Sequence, residues 1–176
     1  MKESLLMKVL YELMKNARQS DRAIAEKLQV SQPTVTRART YLEKNYISEY
    51  TAIPSFPKIG YEIIAITFVK TNLSLSPEER MKAGKKGRQW TLSQPNVVFA
   101  AQCNGMGFTG LMISFHKNYS DYVDFMKKCR NEWSGAVTFQ ESIMIHMREE
   151  QMIKPLVFAS LIETERNVTT LNSQKA

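Results

Sequence analysis

The sequence predicts a two-domain α+β protein, in which three N-terminal helices precede a strand–helix–strand–strand–helix–strand unit. Apolar residues recur at helical spacing over the first 42 residues, and short apolar runs separated by turn signals follow. Between these patterns lies IPSFPKIG, whose two prolines and glycine indicate a boundary. We therefore expect a helical domain over 1–53, a linker over 54–60, a second domain over 61–147 and a partly disordered C-terminal extension over 148–176.

The helical domain is predicted from one apolar stripe and two helix starts. The stripe of the first helix comprises Leu5, Leu6, Val9, Leu10, Leu13 and Met14. Ser20 can cap a second helix, with Asp21 close to its positive end. Ser31 is the expected N-cap of a third helix, and Pro33 lies in its first turn, where proline removes no helical hydrogen bond. Residues 47–53 alternate loosely and predict a strand or short hairpin.

The second domain is predicted from alternating strands and helix starts. Ser76, Pro77 and Glu79 form a capping-box pattern, and Ser120 is the expected cap of a second helix. The strands are expected at 61–69, 97–102, 111–116 and 137–145. This order is the split βαβ, ferredoxin-like arrangement. The apolar residues 153–162 suit a strand or short helix, and the polar residues 163–176 are expected to fray.

Composition favours an intracellular protein with a phosphate-bearing partner. The net charge is +7 and the isoelectric point about 9.4. The two cysteines cannot build a disulfide framework or a zinc cluster. The N-terminus lacks a signal peptide pattern, and no run approaches the roughly 20 apolar residues of a membrane span. We therefore expect a cytoplasmic protein with no membrane association.

The third helix has the character of a DNA-reading helix. Val35, Ala38 and Leu42 mark its buried side, and its polar side contains two arginines but no acid from Gln32 to Leu42. An ordinary helix with a solvated face is the alternative, but such a face usually mixes both charge signs. Arginine, glutamine and threonine can bond base edges or phosphates. The candidate DNA contacts are Ser31, Gln32, Thr34, Thr36, Arg37, Arg39, Thr40 and Lys44.

The segment DRAIAEKLQVSQPTVTRARTYLEKNYISEYTA resembles the helix-turn-helix of the leucine-responsive regulator (Lrp) and AsnC family. The likeness continues through KIGYEIIAITFVKT and VTFQESIMI, and it covers roughly residues 3–147. It implies a winged helix-turn-helix and a ferredoxin-like domain that dimerises and often senses an amino acid. In this resemblance Ser31 caps the reading helix, Val35 and Leu42 are core, and Thr34 and Arg37 face DNA.

A glycine-rich segment at residues 105–110 spells GxGxxG. A dinucleotide-binding loop requires a helix after this motif, but a strand is predicted there, so we expect a β-hairpin and no cofactor. Bare backbone would let a ligand or a second subunit approach closely. Glu141, on the same strand face as Ile143 and Ile145, is either an edge residue or part of an effector pocket. The candidate effector or dimer residues are Asn104, Gly105, Met106, Gly107 and Glu141.

Three further readings of the sequence stay open. His116 and His146 could hold a substrate if the chain were a tetrapyrrole (siroheme-type) decarboxylase, an activity of some relatives with this fold. The protein could instead organise the nucleoid with little sequence preference. The run Lys82, Lys85, Lys86 and Arg88 is either a solvated helix face or an extension of the phosphate-binding surface.

We expect a sequence-specific transcriptional regulator rather than an enzyme. Its expected partners are double-stranded DNA and further copies of itself, as a dimer, a tetramer or an octamer. Whether a small effector such as an amino acid also binds is open at this point. Neither a catalytic residue nor a metal site is expected.

Overall fold

The computed structural model describes residues 3–148, 152–154 and 161. The chain divides into two compact units between Ile53 and Pro54, and the second unit continues to Ile153. Among the described residues, no helix is both long enough and apolar enough to cross a membrane. The predictions for 153–162 and 163–176 lie, except for Ile153, Lys154 and Leu161, outside the described residues.

The first unit contains the three predicted helices, α1 (Glu3–Lys15), α2 (Asp21–Leu28) and α3 (Gln32–Asn45). Ser20 caps α2 by accepting a hydrogen bond from the Ala23 N–H at 3.2 Å. The turn after α2 passes through Gln29, whose φ of 55° directs the chain into α3. All three helices contribute to one buried core, made of Leu6, Val9, Leu13, Ile24, Ala25, Val35, Ala38 and Leu42.

A buried carboxylate also links α1 to α2. Glu12 is 6 % exposed and lies 2.5 Å from the Lys15 Nζ and 3.2 Å from the Lys27 Nζ. The hydrogen bond from Lys15 lowers the pKa of Glu12, with a smaller contribution from Lys27, although burial opposes the shift. The pair with Lys27 therefore joins the two helices across their polar edge.

The strand or hairpin predicted for residues 47–53 is wrong. All seven residues are described, and their backbone is irregular. Ile47 packs against the helical core, whereas Tyr50 and Ile53 are exposed. Apolar and polar residues alternate loosely here because one apolar residue, Ile47, packs in the core and the following apolar residues lie on the surface. The alternation therefore does not indicate a strand.

The second unit contains a short 3₁₀ helix (Phe56–Ile59) and then the predicted order of strands and helices. These elements are β1 (Ile63–Thr71), α4 (Pro77–Ser93), β2 (Val97–Gly105), β3 (Phe108–His116), α5 (Tyr119–Glu132) and β4 (Val137–His146). The strand order is β2-β3-β1-β4, with every neighbouring pair antiparallel. This topology confirms the α+β, ferredoxin-like prediction.

The two helices of this unit begin at different kinds of cap. The predicted capping box of α4 is present, since Ser76 and Glu79 exchange hydrogen bonds of 3.0 and 3.3 Å with each other's backbone N–H. The predicted cap at Ser120 is wrong, because α5 already begins at Tyr119. Asn118 is the N-cap, and its side chain accepts from the Asp121 N–H at 2.9 Å.

One face of the sheet is buried beneath α4 and α5. Met112 packs there with Phe125, Met126 and Cys129. The Trp133 ring lies directly over Gly87 of α4, where a Cβ would come within 2.4 Å of the ring. The Trp133 Nε1 also donates to the Thr91 Oγ1 at 3.2 Å. The Trp133 ring therefore occupies the volume that a side chain at position 87 would fill.

The opposite face of the sheet, here called the open sheet face, is largely apolar. On β1 its residues are half-buried and alternate with the buried ones, and strand register extends the face onto β3 and β4. Phe99 of β2 is 51 % exposed, and Ile143 of β4 is 59 % exposed. The open sheet face comprises Ile64, Ile66, Phe68, Phe99, Leu111, Ile113, Glu141, Ile143 and Ile145.

Candidate DNA-reading surface

The outer side of α3 presents an exposed row of polar side chains. Arg37, Thr40 and Lys44 lie three and four positions apart, on the side opposite the buried Val35 and Leu42. Among the described residues, neither Arg37 nor Lys44 forms an ion pair. Within the described part of the chain, both cations are therefore exposed and not neutralised.

Two of the predicted DNA contacts, Arg39 and Thr36, bind the Asp21 carboxylate of α2. The Arg39 Nε lies 2.6 Å from the Asp21 Oδ1, and its Nη2 donates to the Gln19 carbonyl oxygen at 2.6 Å. The Thr36 hydroxyl donates to the Asp21 Oδ2 at 2.7 Å. Both residues lie on the flank of α3 that faces α2, and their bonds to one carboxylate fix the contact between these helices.

The start of α3 differs in detail from the prediction. Ser31 has the extended backbone of an N-cap, but its side chain makes no capping bond. Its hydroxyl instead pairs with the Thr34 hydroxyl at 2.8 Å. Gln32, the first residue of the helix, is exposed. The start of α3 therefore presents side-chain hydroxyl and amide groups, which suit contact with phosphate.

Tyr41, which is not among the contacts predicted from the sequence, extends this surface on the other flank of α3. Its side chain is 48 % exposed, one helical turn beyond Arg37 and one turn before Lys44. The ring also lies near that of Tyr46, with centroids 6.1 Å apart. The i+4 spacing from Arg37 was the signal that could have identified it. A tyrosine hydroxyl at this position can donate to phosphate.

The carboxylates near the outward side of α3 lie at its edges. Glu43 accepts a hydrogen bond from the Tyr50 hydroxyl at 3.1 Å, and burial and this carboxylate together raise the pKa of Tyr50. Asp21 is occupied by Arg39 and Thr36. The outward side of α3 is therefore positive over most of its length, and it matches the charge of a DNA backbone.

The glycine-rich segment forms a β-hairpin, as predicted. Gly105 pairs with Phe108 across the turn, where Met106 has a φ of 52° and is 93 % exposed. A shallow depression of about 350 Å³ lies beside the hairpin and is lined by Thr71, Gln102, Cys103, Asn104 and Thr109. The Thr71 and Thr109 hydroxyls pair there at 2.7 Å.

Glu141 does not join the hairpin in one pocket. Glu141 lies on β4, where it pairs with Phe68 of the neighbouring β1. β4 is the edge strand of the sheet farthest from β2. Three strand spacings of about 4.8 Å separate these edges, so the backbone of Glu141 lies roughly 14 Å from that of β2 within one domain. The predicted effector residues are thus divided between two edges of the sheet.

The two histidines occupy different environments. His116 is fully buried, its Nε2 lies 2.9 Å from the Ser114 Oγ, and its ring contacts Tyr122 and Phe125. Burial lowers the pKa of His116, while the nearby Asp121 carboxylate opposes that shift. His146, in contrast, is exposed. Only His146 therefore presents an imidazole to solvent.

The helical unit matches a known family of DNA-binding domains. Residues 3–45 match the model of the winged helix-turn-helix DNA-binding family. This range contains all three helices of the first unit and ends with α3. The curated proteins compared with the sequence include no match.

Solved structures of Lrp/AsnC-type regulators share the fold of nearly the whole chain. A Neisseria meningitidis transcriptional regulator, solved in complex with L-Met, is 17 % identical, with a TM-score of 0.75 over 90 % of this chain and 96 % of that chain. Escherichia coli AsnC is 15 % identical, with a TM-score of 0.69 over 89 % and 96 %. Bacillus subtilis LrpC is 20 % identical, with a TM-score of 0.65 over 88 % and 96 %.

These comparisons confirm the resemblance to the Lrp/AsnC family at the level of fold. The first unit matches the winged helix-turn-helix DNA-binding model over its three helices, and the second has the fold of the corresponding part of AsnC and LrpC. Fold and comparisons together define a two-domain protein whose first unit matches a DNA-binding helix-turn-helix model.

Proposed function

We propose that the protein is a sequence-specific transcriptional regulator that inserts α3 into the major groove of DNA. The exposed Arg37, which has no ion-pair partner among the described residues and lies on an outward side with little negative charge, carries the proposal. In this role Arg37 reads a base edge, and Thr40, Tyr41 and Lys44 contact the flanking backbone. Ser31, Gln32 and Thr34 contact phosphate at the start of the helix. Thr36 and Arg39 position the helix through Asp21.

The proposed functional unit is a dimer that pairs through the open sheet face. In a monomer the side chains of Phe99, Ile143 and Ile145 would be exposed to water. Burying them in a dimer would contribute a favourable free energy of about 25 cal/mol per Å² of apolar surface. Pairing by a two-fold axis would place one reading helix in each of two major grooves, about 34 Å apart. The same pairing could place Glu141 of one subunit near the hairpin of the other.

An effector role is proposed for the depression beside the hairpin. Its lining of hydroxyl, amide and thiol groups suits a small polar molecule, and the Neisseria meningitidis relative was solved with L-Met. Asn104 lines the depression, while Gly105, Met106 and Gly107 form the turn beside it.

Selection of bound sequences from random double-stranded DNA tests the central proposal. We expect an enriched motif with inverted symmetry, since a two-fold dimer presents the same helix to both half-sites. Repeating the selection with each amino acid in turn tests the effector. Binding without any enriched motif would contradict a sequence-specific regulator and favour a nucleoid-organising protein.

Changing Ile143 to aspartate is expected to dissociate the dimer. The side chain projects from the open sheet face. Burying an unpaired carboxylate there would cost desolvation free energy and so weaken association of the two subunits. Sedimentation velocity should show a shift from dimer to monomer. The matched control is Leu73→Asp, at a 69 % exposed residue outside that face. A dimer that survives Ile143→Asp would contradict pairing through this face.

A further inference from the structure

We infer that the exposed side of α4, in the second unit, is an additional DNA-backbone contact. This inference depends on the proposed DNA-binding function and extends it to a domain without a helix-turn-helix. The surface, here called the α4 basic face, consists of Lys82, Lys85 and Arg88. All three side chains are exposed.

The charge of α4 is unusually one-sided. From Arg80 to Ser93 the helix has five basic residues and no acid. Its two acids, Glu78 and Glu79, lie in the first turn, where negative charge complements the helix dipole. Glu79 accepts hydrogen bonds from both the Ser76 N–H and hydroxyl in the capping box. Over its last fourteen residues, the helix therefore presents only positive charge.

The packing of α4 directs these charges outward. Gly87 and Thr91 are buried on its inner side against Trp133, while Lys82, Lys85 and Arg88 lie on the exposed side. The three cations span about 9 Å along the axis at 1.5 Å per residue. Duplex DNA carries one charge per roughly 1.7 Å of its axis, so several phosphates lie within that span.

The α4 basic face has no internal electrostatic partner in the described part of the chain. Within residues 3–148, Lys82, Lys85 and Arg88 form no ion pair, whereas the neighbouring Lys86 binds Glu132 at 3.1 Å. A solvated helix usually interleaves acids with its cations, as α5 does with Lys127 and Asp124 at 3.1 Å. An unneutralised row matches a polyanion, and DNA is the polyanion that the other unit is proposed to bind.

The triple variant K82A/K85A/R88A tests the inference in the full-length protein. Affinity is measured against salt concentration on a duplex of one binding site and on one several helical turns longer. Removing one phosphate-binding cation lowers the slope of log affinity against log salt by about 0.9, so a fall of about 2 to 3 is expected. At low salt we expect at least a tenfold loss of affinity for the longer duplex.

The matched control is K127A/K128A/R130A, which removes the same charge from α5, where Asp124 and Glu132 also lie. A smaller slope in the α4 variant than in this control, on either duplex, supports the inference. Equal slopes in the two variants overturn it. If the wild-type protein binds neither duplex, the proposed function fails first. If the wild-type protein binds and the α4 variant matches its control, the inference alone fails.

Discussion

Replacing Arg37 with alanine is expected to weaken operator binding by about 1–3 kcal/mol, roughly 5- to 150-fold, with the fold intact. The side chain is exposed at the centre of the outward side of α3, and no described residue forms an ion pair with it. Its removal therefore leaves every ion pair between described residues unchanged. Titration of the selected DNA motif by fluorescence anisotropy measures the reduced affinity.

Two further variants separate base reading from simple charge. Arg37→Lys keeps the charge but loses the two-pronged hydrogen bonding of a guanidinium, so we expect it to recover phosphate attraction but not discrimination between bases. Arg130→Ala removes one charge from the last turn of α5 and should change affinity little. If Arg37→Ala bound the selected DNA motif with wild-type affinity, the DNA-reading role proposed for α3 would be contradicted.

The second large effect, a loss of folding stability, is expected on substitution of Gly87. A Cβ at this position would lie 2.4–2.6 Å from Trp133 ring atoms, so the ring must move and its hydrogen bond to Thr91 must lengthen. Overpacking of this kind costs about 1–3 kcal/mol. Because alanine gains the same helix propensity at either glycine of α4, we expect the free energy of unfolding of Gly87→Ala to lie that far below that of Gly84→Ala. Chemical denaturation followed by tryptophan fluorescence measures the change, since Trp90 and Trp133 both lie in this unit.

Gly84 provides the control within the same helix. A Cβ there would meet no atom within 4 Å, so Gly84→Ala gains helix propensity without a clash. We expect a stabilisation of about 0.4–1 kcal/mol, because alanine also narrows the unfolded ensemble. Two variants of equal stability would show that the Trp133 ring does not constrain Gly87.

Local patterns predicted most of the fold because the interactions behind them are short-range. The capping box of Ser76 and Glu79 was visible in four consecutive residues, and it is present in the structure. The fold class also followed from the order of elements, because few ways of connecting them satisfy the rules of handedness. At residues 47–53 the same reasoning failed, because alternation alone does not distinguish a strand from an anchored loop.

The outward side of α3 was predictable from the sequence, but the internal partners of its residues were not. Helical spacing indicated which residues of α3 face outward. It could not show that Arg39 and Thr36 bind Asp21, because these partners are 18 and 15 residues apart in the chain. Glu141 was separated from the hairpin for a similar reason, since only strand order decides which edge of the sheet it occupies.

The carboxylate of Asp21 has a consequence for how the protein meets DNA. Since Thr36 and Arg39 both bind it, α3 has little freedom to rotate against α2 before any ligand arrives. The conformational entropy of orienting the reading helix is thus lost during folding and not again on association. Recognition by these two helices should then resemble the docking of a rigid body, unlike that of a basic arm that orders only on contact.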